Sequence, residues 1–582
     1  MCENESFEKY REACCVLFCC GRHVARRSGF DGCGSCGGAV VRDDFGRLRG
    51  MCAKMKVSRN IGKHAACFFA AVGMLLGRAD LTDAEAAAAL LSVTDAAAVS
   101  VQSASKAELA DDVRAQTEDA APDYGVALGA PYDDIDFWCD AAGDRLLGTA
   151  EDVARLNEEL HANQPSLVSL AELPRAVSRR QLRHWMEEAA PERGDWYAPT
   201  EPLSDEAYRA TVENCAADRL PLRNPLRYGV TVRRADLRGL PTEEAWLDAP
   251  DDIHYDILQA TAVDPAEPLA VWSESADGKF LFVSMRYYRG WLAREAVALT
   301  TRETWLAYVQ PEDFLVVTRN LYEAPEEAGG QLYQLGSRIP LVQQGGEHLA
   351  RLPQRAADGS LAEVLLALPY SESASLAVED AGGMEAAALH RGSLPYTANN
   401  LRRAAFACLG DVYGWGGQDE SVDCSSFVAD VYRTVGIELP RDADQQEEAF
   451  LRASAHLSDA QNAAHGARGK AAAFGVRRRG TEDAAPHIFY TPLDDLAPAE
   501  RTEALLAAPP ASLLFRPGHV MFTLGSVDGK TYVIHSLSGC WEKTQEGLKR
   551  CRIRRVLVSD AYFLTSTEGR NLDDCTGVGS FR

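Results

Sequence analysis

The stretch that decides the fold is Tyr413-Gly-Trp-Gly-Gly417, five further residues, then Asp423-Cys424-Ser-Ser-Phe-Val428. Gly416, Gly417 and Asp419 mark a loop. Phe427, Val428, Val431, Tyr432 and Val435 then recur at helical spacing, and Gly436 supplies the stop. Cys424 is therefore expected in the first turn of a helix, over the positive end of its dipole. Far downstream come Arg516-Pro-Gly-His519-Val-Met521 and Tyr532-Val-Ile-His535-Ser536. Pro517-Gly518 forces a turn and His519 opens an apolar strand. Asp528-Gly529 is a hairpin signal, and His535 closes the next strand.

A free thiol ionises near pH 8.5, so little of it is thiolate at neutrality; a helix N-terminus and a nearby imidazole make it a nucleophile. Cys424 meets the first condition and His519 the second. Placed on a neighbouring strand, His535 can orient the ring of His519 through its second nitrogen. Taken singly, each of these residues is more commonly structural. Their order along the chain carries the catalytic reading.

The rest of the chain gives the setting. Its 582 residues suffice for three or four domains of about 150 residues each. A formal charge of −25 repels polyphosphate and argues against nucleic acid as a partner. Residues 1–50 hold seven of the 16 cysteines and no apolar periodicity. Cys33-Gly-Ser-Cys36 is half a zinc site at most, with no second pair at suitable spacing, so no metal or other cofactor is expected. The segment is expected to be a disordered leader or translated sequence upstream of the true start. In 51–79, Lys54, Lys56, Arg59 and Lys63 precede an apolar run of 13 residues from Ala65 to Gly77, followed by Gly77-Arg-Ala79. That is the layout of a signal peptide, the alternative being a buried helix. The run is shorter than the about 20 residues that span a bilayer, so the mature chain is expected to hold no integral membrane segment.

Residues 80–125 are expected to form a linker and 130–215 a helical N-terminal domain, with Thr149-Ala-Glu-Asp152 opening one helix and Ser178 to Ala190 another. Two small β-barrels follow, at 220–305 and 310–380, with turns at Asp277-Gly278, Gly329-Gly330 and Gly345-Gly346. The domain with Cys424 spans 396–582, helix first and strands after, an α+β layout with 447–485 as an inserted loop. Seven cysteines follow Ala79, an odd number that leaves at least one thiol free, and Cys540 and Cys551 are placed to pair across a hairpin.

Five motifs in order carry a resemblance. Tyr413-x-Trp-Gly-Gly417, Asp423-Cys-Ser-Ser-Phe-Val428, Gly436-Ile-x-Leu-Pro-Arg441, Pro517-Gly-His-Val-Met521 and Val533-Ile-His-Ser536 are similar to those of the NlpC/p60 cell-wall cysteine peptidases. The usual Cys-Ser-Gly-Phe stands here as Cys424-Ser-Ser-Phe427. Arg227 to Pro241, Asp256-Ile-Leu-Gln259 and Gly290-Trp291 resemble the first bacterial SH3-like domain of the multidomain members.

The resemblance implies a papain-like fold and cleavage of the γ-D-glutamyl–diamino acid bond of peptidoglycan stem peptides, in the periplasm, envelope or outside the cell. It implies that Cys424 attacks, His519 acts as base, His535 holds the ring and Tyr413 helps bind the oxyanion. Asp423 and Ser425 match substrate-contacting positions. Asp442 matches the acid that holds the free amine of an N-terminal L-Ala, Trp415 would wall that pocket, and Tyr287 or Tyr288 would reach over it. Two other readings stay open: a non-hydrolytic wall-binding protein, and a papain-like amidase or acyltransferase on another substrate.

Overall fold

The computed structural model describes residues 126–250, 252–376, 388–455, 487–544, 547–565 and 569–581. The leader, the signal-like stretch and the linker expected over 1–125 lie outside the described residues, as does 456–486 of the expected inserted loop.

The first described segment is helical where its caps predict. Thr149 caps helix Ala150–Asn163 in a capping box with Asp152, and Ser178 caps helix Arg179–Ala189. A third helix, Asp205–Asn214, begins at Ser204. One short strand, Ala176–Ser178, interrupts the series and pairs with Arg223–Pro225.

A seven-stranded antiparallel sheet follows. Its strand order is Gln259–Val263, Ala235–Arg238, Arg289–Ala293, Phe280–Ser284, Pro268–Glu274, Arg227–Thr231, Val297–Thr300. The Asp277-Gly278 turn joins the paired strands Pro268–Glu274 and Phe280–Ser284. A five-stranded sheet comes next, in the order Leu361–Leu366, Glu347–Arg355, Arg338–Gln344, Phe314–Val317, Leu389–Arg391. Its last strand lies beyond 380, so the second β-unit recruits chain from the approach to the next domain.

The C-terminal domain packs helices on a six-stranded antiparallel sheet. The order is Ile488–Pro492, Gly577–Phe581, Leu513–Arg516, His519–Val527, Lys530–Thr544, Gly547–Asp560. Helix Cys424–Thr434 buries Phe427, Val428, Val431 and Tyr432 in one cluster with Val520, Phe522 and Ile534 of the sheet. Each such side chain contributes about 1.5–3 kcal/mol on burial, which fixes the helix on the two histidine-bearing strands. The helix stops where Gly436 takes φ 89°.

Two expectations need correction. The strand bearing His535 does not close there. It runs on to Thr544, with a register shift between Leu537 and Gly539 that bends the ladder without ending the strand. Residues 443–455 are helical, so the first part of the expected loop is an ordered element. Its buried Phe450 packs on Phe515 and Phe581, an anchoring that its polar neighbours hid.

Candidate active site

Asp423 is the N-cap of the helix that begins at Cys424, and its carboxylate accepts from the Ser426 amide at 2.8 Å. Ser426 Oγ returns the bond by accepting from the Asp423 amide at 3.0 Å. The Arg441 guanidinium then grips Asp423 at 3.0 and 2.6 Å and donates to Ser425 Oγ at 3.1 Å. Gly416 N–H donates to the same carboxylate at 3.1 Å. Burial alone would raise the Asp423 pKa, but the Arg441 charge and these bonds hold it below the usual carboxylate range. Cys424 is thus the first residue of a helix whose opening is fixed by an ion pair and a capping box.

The first β-unit locks this arrangement from outside. Arg441 Nε donates to Thr261 Oγ1 at 2.9 Å, and Gln259 Nε2 donates to the Gly416 carbonyl at 3.0 Å. A Cβ at Gly416 would lie 2.7 Å from Gln259 Cγ, and one at Gly417 2.8 Å from Ala262 Cβ. Both glycines also hold positive φ, 56° and 78°. Only glycine allows the loop to meet the β-unit this closely.

His519 opens its strand and pairs in register with Arg516 across the Pro517-Gly518 turn. Cys424 packs in one cluster with the next residue, Val520, whose backbone amide favours the thiolate. His519 Nε2 lies 2.8 Å from His535 Nδ1, and His535 Nε2 lies 3.1 Å from Ser559 Oγ. The structure therefore brings Cys424 and the His519 strand together and joins the two rings. Ser559, the next member of the chain of bonds, carried no signal in the sequence.

Burial pushes the Cys424 thiol up to about 12, with the Asp423 charge adding to it; the Val520 amide, Arg441 and Arg516 oppose that shift. Burial, then Arg516 and His535, pushes His519 well below the ordinary histidine value. Burial and Arg516 bring His535 down to about 3. Both partners are therefore neutral, thiol and imidazole.

Tyr413 is buried, and burial followed by the Cys424 charge raises its pKa above the ordinary range, so its hydroxyl stays a donor. Trp415 stands at the rim, 42% exposed. Tyr255 of the first β-unit stands beside both, with ring centroids 6.2 Å from Tyr413 and 5.9 Å from Trp415. At the other end of the same interface the Tyr288 hydroxyl donates to Asp442 Oδ1, while Gln445 Nε2 donates to Asp442 Oδ2 at 2.8 Å. Tyr287 instead accepts from Arg433 at 2.7 Å. Arg441 and Tyr255 were not singled out from the sequence for any role; Arg441 sat inside a motif, whereas Tyr255 gave no local signal. Among the described residues no group of three or more His, Cys, Asp or Glu side chains is placed to hold a metal ion.

A cysteine at a helix N-terminus, packed on an antiparallel sheet whose adjacent strands carry a bonded histidine pair, defines the thiol-peptidase class of fold and site. Comparison with known proteins carries this to a family. The NlpC/P60 family model matches residues 410–466, and the model of the SH3 domain of SH3b1 type matches residues 246–293. The chain thus carries an NlpC/P60 domain behind a bacterial SH3-type domain, and that domain makes it similar to the NlpC/P60 cysteine peptidases. A solved NlpC/P60 endopeptidase from Photobacterium damselae subsp. piscicida is similar in fold, with TM-score 0.56 and 14% identity over 79% of this chain and 97% of that one. An NlpC/P60 family protein from Bacillus cereus ATCC 10987 is 16% identical over 60% of this chain and 98% of that one, at TM-score 0.31. No curated protein matches the sequence.

Proposed function

We propose that the chain hydrolyses the γ-D-glutamyl–diamino acid bond of peptidoglycan stem peptides that carry a free N-terminal L-Ala, outside the cytoplasm. The observation that carries this reading is the bond from Tyr288 of the first β-unit to Asp442 of the peptidase domain. It makes the acyl end of the cleft a shared, closed corner with a carboxylate in it. Burial raises the Asp442 pKa, with the Tyr288 bond and Arg441 opposing. An ammonium entering there would gain a desolvated partner. A neutral, N-acylated end would leave that carboxylate unmatched and meet the tyrosine.

The chemistry follows from the bonded rings. With Nε2–H of His519 donating to His535 Nδ1, and Nε2–H of His535 donating to Ser559, His519 keeps a lone pair on Nδ1. The Cys424 sulfur attacks the γ-carbonyl carbon as His519 Nδ1 takes its proton. The Tyr413 hydroxyl and helix N-terminal amides stabilise the oxyanion. His519 then protonates the leaving amine of the diamino acid, and a water, activated by the same nitrogen, hydrolyses the thioester. The carboxylate at Asp442 favours an amine-bearing peptide over a fatty acyl chain. The SH3-type domain is consistent with docking to peptidoglycan.

Mass spectrometry of a defined panel tests the reading. L-Ala-γ-D-Glu-meso-diaminopimelate should be cut between D-Glu and the diamino acid, and its N-acetylated form should be cut at least about tenfold more slowly. Equal rates on both would remove Asp442 from amine recognition. Turnover of a fatty ester in place of either peptide would overturn the peptidase reading.

A further inference from the structure

The Arg516 side chain is the second charged group beside the nucleophile, and the mechanism above does not use it. It closes strand Leu513–Arg516, directly opposite His519 in register. The residue is largely covered, and its Nε is buried with no hydrogen-bond partner. No ion pair or hydrogen bond of its guanidinium exists among the described residues, whereas Arg441, the other guanidinium near Cys424, makes four hydrogen bonds. Only Nε is fully covered and the residue keeps some exposure, so its terminal N–H groups are open to a ligand entering the cleft.

Its surroundings say on which side of the thiol it stands. The charges that act on Arg516 are those of Cys575, Cys424 and Asp574. Those that act on Asp442 are Arg441, Asp444 and Asp423. Cys424 feels both sets, through Asp423 and Arg441 on one hand and Arg516 on the other. Cys424 thus interacts both with the groups of the Asp442 corner, which closes the acyl end in the reading above, and with Arg516. With the acyl part of the substrate toward Asp442, the amine that departs from the γ-carbonyl is left on the Arg516 side.

We propose that Arg516 receives a carboxylate of the leaving diamino acid, so that this enzyme selects stem peptides whose diamino acid bears a free carboxylate. The inference rests on the peptidase reading given above. A planar guanidinium with free N–H groups matches a carboxylate in two-point geometry, and a desolvated pair of this kind discriminates strongly against a neutral amide. Two carboxylates of diaminopimelate qualify, the one next to the leaving nitrogen and the distal one.

The test uses the full chain with Arg516→Gln and Arg516→Lys, on L-Ala-γ-D-Glu-meso-diaminopimelate and its two mono-amides and diamide. Wild type should cleave the free acid with a KM about 10- to 100-fold below that of the diamide. In Arg516→Gln the KM on the free acid should rise to that on the diamide, so the preference is lost, and Arg516→Lys should restore part of it. The mono-amide that behaves like the diamide identifies the carboxylate. Because the Arg516 charge also lowers His519 and His535, the acid limb on the diamide should move to higher pH in Arg516→Gln, and the KM ratio of diamide to free acid is read above that limb, which separates ligand binding from the field effect on the His519 pair. Removing an unpaired cation should not unfold the chain, and an unchanged thermal midpoint checks this. Equal loss on the free acid and the diamide, or no loss on either, overturns the proposal. Failure of wild type to cleave any of the four peptides would instead overturn the peptidase reading.

Discussion

Burial acts on Cys424 and His519 in opposite senses on the pKa scale but to the same end. It raises the thiol and lowers the imidazole, so each is neutral at rest. A base works only when unprotonated, and a histidine held well below 6.5 stays unprotonated at a pH where a free imidazole is charged. The acid limb of kcat/KM is therefore expected below pH 6.5, measured from about pH 4 to about pH 8 on a carboxyl-blocked peptide so that substrate titration does not intrude. A limb at or above 6.5 would mean that the ring is solvated in the working enzyme. The same sign holds for stability. Because the unfolded chain takes up the proton more readily than the folded one, acidification below 6.5 disfavours the fold through His519 and His535.

At the scale of the element, what was legible in the sequence is what local rules encode. The nucleophile helix shows itself through the 3.6-residue spacing of Phe427, Val428, Val431 and Tyr432 and through its Gly436 stop, and the structure has it as Cys424–Thr434. The hairpin between the histidine strands shows itself through Asp528-Gly529, which holds φ 50° and 75°. The His535 strand was expected to close at His535, whereas it runs on to Thr544 through a register shift between Leu537 and Gly539. The start of the 447–485 segment was misjudged because one buried phenylalanine among charged residues is a weak periodic signal. The clamp of Arg441 on Asp423 and Thr261, and the choice of Tyr288 over Tyr287 for Asp442, were not legible at all. They join residues far apart in the chain, and no local pattern encodes such a contact. The five motifs contain the residues proposed as catalytic together with Asp423 and Arg441, which fix the helix start, whereas Thr261, Gln259, Tyr255 and Ser559 around them lie outside those motifs.

At the scale of the whole molecule, one carboxylate ties the parts together. Glu438 follows the nucleophile helix and lies 2.5 Å from Arg286 of the first β-unit, 3.3 Å from Arg338 of the second and 3.4 Å from His161 of the N-terminal helices. Burial works to raise its pKa, but Arg286, His161 and Arg338 hold it far below 4.5. Nearby, Arg234, Asp264, Asp430, Arg433 and Arg441 line a polar cavity of about 40 Å³ where the first β-unit meets the nucleophile helix. Glu438→Gln would leave two largely buried guanidinium groups short of their counter-charge, at a cost of about 3–5 kcal/mol. The group's folded pKa is depressed, so its contribution is present above about pH 4.5 and is lost as pH falls toward the folded value. Urea unfolding of the two forms should therefore differ most at neutral pH and converge in acid. An equal difference at every pH would assign the effect to packing rather than charge.

In the proposed mechanism a single sulfur attacks a carbonyl, and that step can be caught. Acid-quenched enzyme taken during turnover of L-Ala-γ-D-Glu-meso-diaminopimelate should gain the mass of one L-Ala-D-Glu acyl group. Peptide mapping should place it on Cys424, and Cys424→Ala should neither gain it nor turn over. An adduct on another residue, or undiminished hydrolysis by Cys424→Ala, would contradict the mechanism.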